Sequence, residues 1–253
     1  MWIVEYRELI RILTVSDLKV KYQSSVLGFT WSLLNPLLLM LVLYFVFSNV
    51  FRFDEKNFAL YLLIGIISWR FFANATMSSM TSIVGKPSLV TKVYVPRQVL
   101  VLSSVLSSFI SSTLEFMVLV PLLLFFGVDL SLNLAFFPLI HLIYLLLVYG
   151  ISLILAALYV YYRDLNQIWD VLLQAGFFLS PIVYPISIVP EKYLSYYMMN
   201  PITTILEMYR KSLLYSQTPS AASMVFALAA GGLMLLVGTL VFRRLERKFA
   251  EEI

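Results

Sequence analysis

The sequence predicts an all-α integral membrane protein with six transmembrane helices, and three observations support this prediction. Hydrophobic residues make up 61% of the 253 residues and charged residues 13%, whereas a soluble domain carries about 25% charged residues. Residues 22–51, 130–162 and 212–242 contain no Asp, Glu, Lys or Arg, and residues 98–128 contain only Glu115. Because roughly 20 apolar residues form a helix that crosses a bilayer, each run is long enough to span it.

These apolar runs divide the chain, residues 1–253, into a single transmembrane domain of six spans. The predicted spans cover residues 29–51, 58–80, 98–126, 135–162, 167–184 and 221–242. An even number of spans places both termini on one side, which then carries twelve basic residues against five on the other. Since Lys and Arg in short connections stay in the cytoplasm, both termini are expected to be cytoplasmic.

The first sixteen residues are typical of an amphipathic helix. The large apolar residues recur at helical spacing: Trp2, Ile3, Tyr6, Leu9, Ile10 and Leu13. Such a helix lies flat at the lipid headgroups or packs against a partner protein, and the pattern favours neither alternative. Ser16 is then expected to cap a second short helix, in which Asp17 pairs with Lys21 four residues later.

The stretch PIVYPISIVPEKYLSYYMMNP, residues 181–201, contains four prolines and cannot form one membrane helix. Asn200 and Pro201 form a favourable helix start, which predicts short helices at 190–199 and 201–215. Interrupted helices are tolerated at membrane depth only inside protein or along a wet cavity. We therefore predict re-entrant gate helices within 185–215 that cap the outer mouth of a pathway. The alternative is an amphipathic loop resting on the outer lipid surface.

Catalytic and metal-binding patterns are weak in this sequence. It has no cysteine and one histidine, His141, which fits a packed residue or an interhelical hydrogen-bond donor better than a metal ligand. The segment VGKPS at 84–88 lacks the first glycine and the Lys-Ser/Thr ending of a phosphate-binding loop. We therefore expect no enzymatic activity, no metal and no cofactor bound by this chain.

Arg70 and Glu115 lie inside predicted spans, where ionisable groups are candidate functional residues. The alternative is that they pair with each other or face a wet interior and hold helices together. No chain of acids and histidines accompanies them, which disfavours a proton-coupled carrier.

Aromatic residues inside or at the ends of spans are candidates for lining a substrate passage. Sugars have apolar faces that lie on aromatic rings, so a weakly charged aromatic passage would suit a carbohydrate chain better than an ion. The candidate lining residues are Tyr44, Phe47, Phe177, Phe178 and Tyr184. The alternative for each of them is an ordinary lipid-facing or core position.

Several motifs together resemble one family. SDLKVKYQSSVLGFTWSLLNP, residues 16–36, is similar to the N-terminal signature of membrane subunits of ABC exporters for polysaccharides and polyol phosphates. Further matches are Tyr162-Arg163-Asp164, Ser180-Pro181 with Tyr184, and Asn200-Pro201 with Tyr209-Arg210. The resemblance covers essentially the whole chain and is greatest to the O-antigen type (Wzm). One departure is Lys21, where the family often has arginine.

The resemblance implies a pore formed by two copies of the chain in the bacterial inner membrane, in contact with membrane lipid. Each copy would bind one cytoplasmic ATPase subunit, which holds ATP and Mg²⁺, through the interface helix 1–16 and a coupling segment at 83–97. The coupling residues would be Asp17, Lys19, Lys86, Lys92, Tyr94 and Arg97. The basic residues of the coupling segment equally fit a role as topology anchors.

The substrate implied by the resemblance is an undecaprenyl-linked polysaccharide, the O-antigen, with no role for nucleic acid. Alternatives are an ABC exporter subunit for teichoic acid, capsule, a small lipid or a drug, and a proton-coupled carrier.

Overall fold

The computed structural model of the chain describes residues 5–23, 28, 30–50, 57–87, 89, 95–129 and 131–249, and every regular element within them is helical. The α-helices are α1 Arg7–Tyr22, α2 Thr30–Phe45, α3 Phe58–Thr81, α4 Gln98–Phe125, α5 Phe136–Tyr161, α6 Leu165–Leu179, α7 Glu191–Met199, α8 Pro201–Leu213 and α9 Ala221–Leu245. A π-helical turn, Val46–Val50, extends α2. Short 3₁₀ turns lie at Leu132–Ala135, Ile186–Ile188 and Glu246–Lys248.

Five helical segments among the described residues are long and apolar enough to cross a membrane: Thr30–Ser48, Phe58–Thr81, Gln98–Phe125, Leu132–Tyr161 and Ala221–Lys248. They coincide with five of the six predicted spans. The exception is 167–184, where α6 has 15 residues and ends at Leu179. Ser180 is extended, with φ −94° and ψ 150°, because a residue that precedes proline avoids the helical conformation.

Helix α3 forms the centre of the bundle. It is buried along most of its length and packs against α2, α4, α5 and α6. Its apolar residues cover all sides of the helix, which is typical of a helix surrounded by protein. By contrast, α2 is mostly exposed.

Helices α5 and α9 pack through glycines. A Cβ on Gly238 would collide with the backbone of Gly150, and a Cβ on Gly150 would collide with the backbone of Met234 and Leu235. Small residues allow such close approach, which is a main source of helix association in lipid.

Helix α1 is one continuous helix, so the predicted helix start at Ser16 is wrong. Ile10 and Leu13 are buried in an apolar cluster with Val99 and Leu100 of α4. The apolar stripe thus packs partly against this same chain, whereas both predicted alternatives assigned it to an outside surface. Asp17 is bonded to Lys86 and not to Lys21, so α1 is held by tertiary contacts through the position of the expected break.

The bundle has two ends. At the end that carries α1, which we call the terminal end, the Tyr161 hydroxyl donates to the Leu245 carbonyl (2.8 Å). At the opposite end, which we call the short-helix end, Asn133 donates to the Ser216 carbonyl (2.6 Å).

The two short helices predicted from the prolines are present as α7 and α8. The Asn200 side chain accepts a hydrogen bond from the Ile202 amide (3.0 Å), and Pro201 is the first residue of α8. This confirms the predicted helix start.

Candidate substrate passage

The short-helix end contains a pocket of about 820 Å³, which we call the tyrosine pocket. Its walls come from the turn after α2, the segment after α6, and α7. The lining residues are Phe47, Tyr184, Ile188, Val189, Pro190, Tyr193, Tyr196 and Tyr197.

The position of the tyrosines follows from local structure. Tyr193, Tyr196 and Tyr197 are three and four residues apart in α7 and therefore share a helix face. The Tyr184 hydroxyl lies 3.1 Å from the Tyr197 hydroxyl and donates to the Phe178 carbonyl (3.0 Å). The pocket thus combines aromatic faces with phenolic hydroxyls, an arrangement suited to a ring with an apolar face and polar edges.

Two of the five predicted lining residues, Phe47 and Tyr184, lie in this pocket. Tyr44 is exposed on α2 with its ring 6.3 Å from that of Phe58. Phe177 packs on the core, with its ring 6.4 Å from Trp69, whereas Phe178 is 62% exposed. Of the five predicted residues, Phe47 and Tyr184 thus line the tyrosine pocket.

Sequence reasoning missed the three pocket tyrosines of α7. They lie outside the predicted spans, where tyrosines are commonly interfacial. Their i, i+3, i+4 spacing on the predicted helix 190–199 was the signal available to find them.

A second cavity, of about 460 Å³, opens near the terminal end, and we call it the serine furrow. It lies between α1, α3, α4 and the residues after α3. Its lining residues are Asp17, Val20, Lys21, Asn74, Met77, Ser78, Ser82, Gly85, Lys86, Ser104, Ser107 and Ser108.

An ion pair joins α1 to the predicted coupling segment at this furrow. Lys86 Nζ lies 2.6 Å from Asp17 Oδ1, and the Ser104 hydroxyl donates to Asp17 Oδ2 (3.2 Å). Asp17 and Lys86, both predicted coupling residues, are therefore in direct contact, and the Ser104 hydrogen bond fixes α1 to α4.

The other predicted coupling residues are dispersed. Lys19 is exposed on α1. Arg97 donates to the Glu246 carbonyl (3.2 Å), and its guanidinium carbon lies 5.9 Å from the centroid of the Phe249 ring, which links the start of α4 to the residues after α9. Lys92 and Tyr94 lie outside the described residues.

The two intramembrane charges lie close to each other. Arg70 Nε is 3.9 Å from Glu115 Oε2, and Arg70 Nη1 donates to Asn35 Oδ1 (2.6 Å). Glu115 is buried at 4% exposure. The three side chains belong to α2, α3 and α4, so they connect the sparsely packed α2 to the centre of the bundle.

His141 is packed among aromatic rings. Its Nδ1 lies 2.6 Å from the Tyr209 hydroxyl, and the rings of Phe109, Phe116 and Phe137 surround it. No group of three or more acidic, histidine or cysteine side chains that could hold a metal occurs in the described ranges.

Among the described residues, the bundle has five segments long and apolar enough to cross a membrane, with a polar furrow near one end and an aromatic pocket at the other, which suits a membrane transport subunit. Residues 8–214 match the family described as ABC-2 type transporter, and the chain belongs to this family. Membership implies a separate ATPase subunit as partner, because the relatives are permease subunits.

Named relatives align over nearly their whole length. The chain is 30% identical to an O-antigen export system permease protein RfbA of Klebsiella pneumoniae, over 96% of this chain and 94% of that protein. It is also 30% identical to the RfbA permease of Myxococcus xanthus, over 98% and 96% of the two chains. Identity to the polysialic acid transport protein KpsM of Escherichia coli is 21% over 94% of this chain and 93% of that protein.

Proposed function

We propose that this chain is the pore-forming transmembrane subunit of an ATP-driven exporter of lipid-linked polysaccharide of the O-antigen type. The observation that carries the proposal is the tyrosine pocket, an aromatic surface lined by uncharged residues, in a chain whose relatives are named as O-antigen export permeases and a polysialic acid transport protein. A sugar chain can move along aromatic faces and hydroxyls without the strong attachment that fixed charges would impose.

In the proposed assembly, two copies of the chain enclose the passage and two ATPase subunits bind from the cytoplasm. The exposed apolar side chains of α2 suit a seam with the second copy, since the segment that contains α2 is the least buried of the five segments long and apolar enough to cross a membrane. This chain would bind no metal and no cofactor, and ATP with Mg²⁺ would be held by the partner subunit.

The proposed topology keeps six spans in the bacterial inner membrane, with both termini in the cytoplasm. At 1.5 Å per residue α6 extends about 22 Å, and the non-helical residues 180–184 follow it as turns and bends. The proposed crossing of a hydrocarbon core of about 30 Å therefore needs these residues as well as α6. Helices α7 and α8 would then form the outer gate, dipping into the membrane from outside.

Reconstitution tests the function directly. Vesicles that contain this chain and its ATPase subunit should move a labelled lipid-linked polysaccharide only when ATP is present. Transport that persists without the ATPase subunit and follows a proton gradient would instead support a carrier. An ABC exporter of a small lipid or drug would transport those compounds equally well without the sugar chain.

Loss of the aromatic faces in the tyrosine pocket should weaken export of the polysaccharide. We expect Tyr196→Leu to raise the KM for export about three- to tenfold, because one aromatic contact contributes about 0.5–1.5 kcal/mol beyond its area. Tyr196→Phe should stay nearer to the wild type. Phe125→Leu is a matched control, because Phe125 is exposed at the same end outside the pocket. Equal KM values for Tyr196→Leu and the control would show that the tyrosine pocket is not part of the substrate passage.

The Asp17–Lys86 ion pair gives a test of coupling. Lys86→Glu places two carboxylates together between α1 and the coupling segment. We expect it to lower the polysaccharide exported per ATP hydrolysed by about tenfold, within the usual range of coupling energies. The exchange Asp17→Lys with Lys86→Glu restores opposite charges and should recover most of the ratio. If the exchanged pair exports no better than the single variant, the contact does not transmit coupling through charge pairing.

A further inference from the structure

Arg210 lies in α8 and has no solvent exposure. A buried guanidinium is costly unless its charge is paired and its donors are satisfied. Arg210 Nη1 donates to Glu207 (2.9 Å) and Nη2 donates to the Ile182 carbonyl (3.2 Å). The guanidinium carbon lies 3.4 Å from the centroid of the Tyr61 ring. The side chain therefore joins α8 to α3 and to the segment after α6.

The same group of contacts reaches the tyrosine pocket. The Tyr61 hydroxyl donates to the Tyr184 carbonyl (3.0 Å). Arg210 and Tyr61 thus hold the carbonyls of Ile182 and Tyr184, two residues apart on a short non-helical segment. These contacts fix the backbone of Tyr184, and the Tyr184 hydroxyl is hydrogen-bonded to the Tyr197 hydroxyl.

The space for this arrangement is provided by α3. A Cβ on Gly65 would lie 3.0 Å from Arg210 Nη2 and 3.2 Å from the Ile182 carbonyl oxygen. Only arginine combines a flat surface for the Tyr61 ring with donors that diverge toward two acceptors, whereas lysine presents a single compact charge.

We propose that Tyr61 and Arg210 act together as positioning residues of the tyrosine pocket, and this inference rests on the proposed function. The buried guanidinium of Arg210, together with Tyr61, fixes the backbone of residues 182–184 and so holds Tyr184 against Tyr197. The position of residues 182–184, which include the pocket residue Tyr184, therefore depends on the buried charge of Arg210, which lies outside the pocket.

The test uses Tyr61→Phe, because substitution of Arg210 itself can prevent folding. Tyr61→Phe keeps the ring beside the guanidinium and removes only the hydroxyl that holds the Tyr184 carbonyl. Tyr144→Phe is the matched control: Tyr144 is also buried and donates to a backbone carbonyl, that of Ser68 (3.2 Å), away from the pocket.

The first measurement is hydrogen exchange of the intact transporter in lipid discs without substrate. We expect amides of residues 183–189 to exchange about two- to tenfold faster in Tyr61→Phe, the factor equivalent to one hydrogen bond. The control variant should match the wild type in this segment. Unchanged exchange in Tyr61→Phe would overturn the inference whether or not the chain exports polysaccharide.

The second measurement is a double-mutant cycle on export. If Tyr61 acts through Tyr184, then Tyr61→Phe and Tyr184→Phe should each raise KM with the maximal rate unchanged, and the double variant should show no further increase. Additive effects on KM would overturn the inference. A wild-type transporter that exports no polysaccharide would refute the proposed function and leave the exchange result to decide whether Tyr61, packed on Arg210, positions residues 182–184.

Discussion

Gly238→Leu is expected to separate α9 from α5 and to abolish most of the folded protein. A Cβ at this position would collide with the carbonyl group of Gly150, and backbone atoms cannot turn aside as a flexible side chain can. Overpacking in a core commonly costs about 1–3 kcal/mol. Here we expect at least the upper value, about 3 kcal/mol, because the helices must move apart along their contact. Thermal unfolding in detergent and the yield of monodisperse protein measure the loss.

Gly232→Leu provides the matched control. Gly232 belongs to the same helix, but a Cβ there would meet nothing within 4 Å. This variant should unfold within a few degrees of the wild type, so a general intolerance of α9 to large residues is separated from the specific contact. A Gly238→Leu protein as stable as the Gly232→Leu protein would contradict the close packing of α5 and α9.

The lengths of the apolar runs in the sequence predicted the positions of most helices of the bundle. Predicted spans 58–80 and 98–126 differ by one residue from α3 and α4, because runs of this length leave the backbone no alternative to helix in lipid. The predicted span 167–184 extends beyond the observed end of α6 at Leu179. Hydropathy does not show that Pro181 disfavours the helical conformation of the residue before it. The continuity of α1 through Ser16 depends on Lys86 and Ser104, which are distant in sequence and invisible to local capping rules.

The candidate site could be predicted only in part. Phe47 and Tyr184 could be predicted as lining candidates because they are aromatic residues near the ends of predicted spans. Which rings come together depends on the rotation of each helix about its axis, and a single sequence does not determine that rotation. The burial of Arg210 could not be predicted from the sequence either. Sequence reasoning counts it with the basic residues on the outer side, whereas contacts with Tyr61, Glu207 and Ile182 bury it completely.

Arg70 and Glu115 yield the second large effect, in which two damaging substitutions should compensate each other. Arg70→Met leaves Glu115 buried without its nearest cation, and Glu115→Met leaves Arg70 inside the bundle with only Asn35. Removing one partner of a buried pair typically costs about 3–5 kcal/mol, whereas replacing both with apolar residues is often neutral. We therefore expect each single variant to lose several kcal/mol of stability and the double variant to regain most of it.

Export by the double variant decides between the two roles that the sequence left open for these charges. If they only hold α2 and α4 to α3, the stable double variant should retain ATP-driven export near the wild-type rate, with the same dependence on pH. If they take part in transport, the double variant should fold and yet fail to export. Asn35→Leu serves as the control for the α2 contact, since it removes the hydrogen bond to Arg70 and leaves the ion pair intact. A proton-coupled carrier would lose transport in every variant that lacks Glu115, because the proton acceptor would be missing however well the bundle is packed.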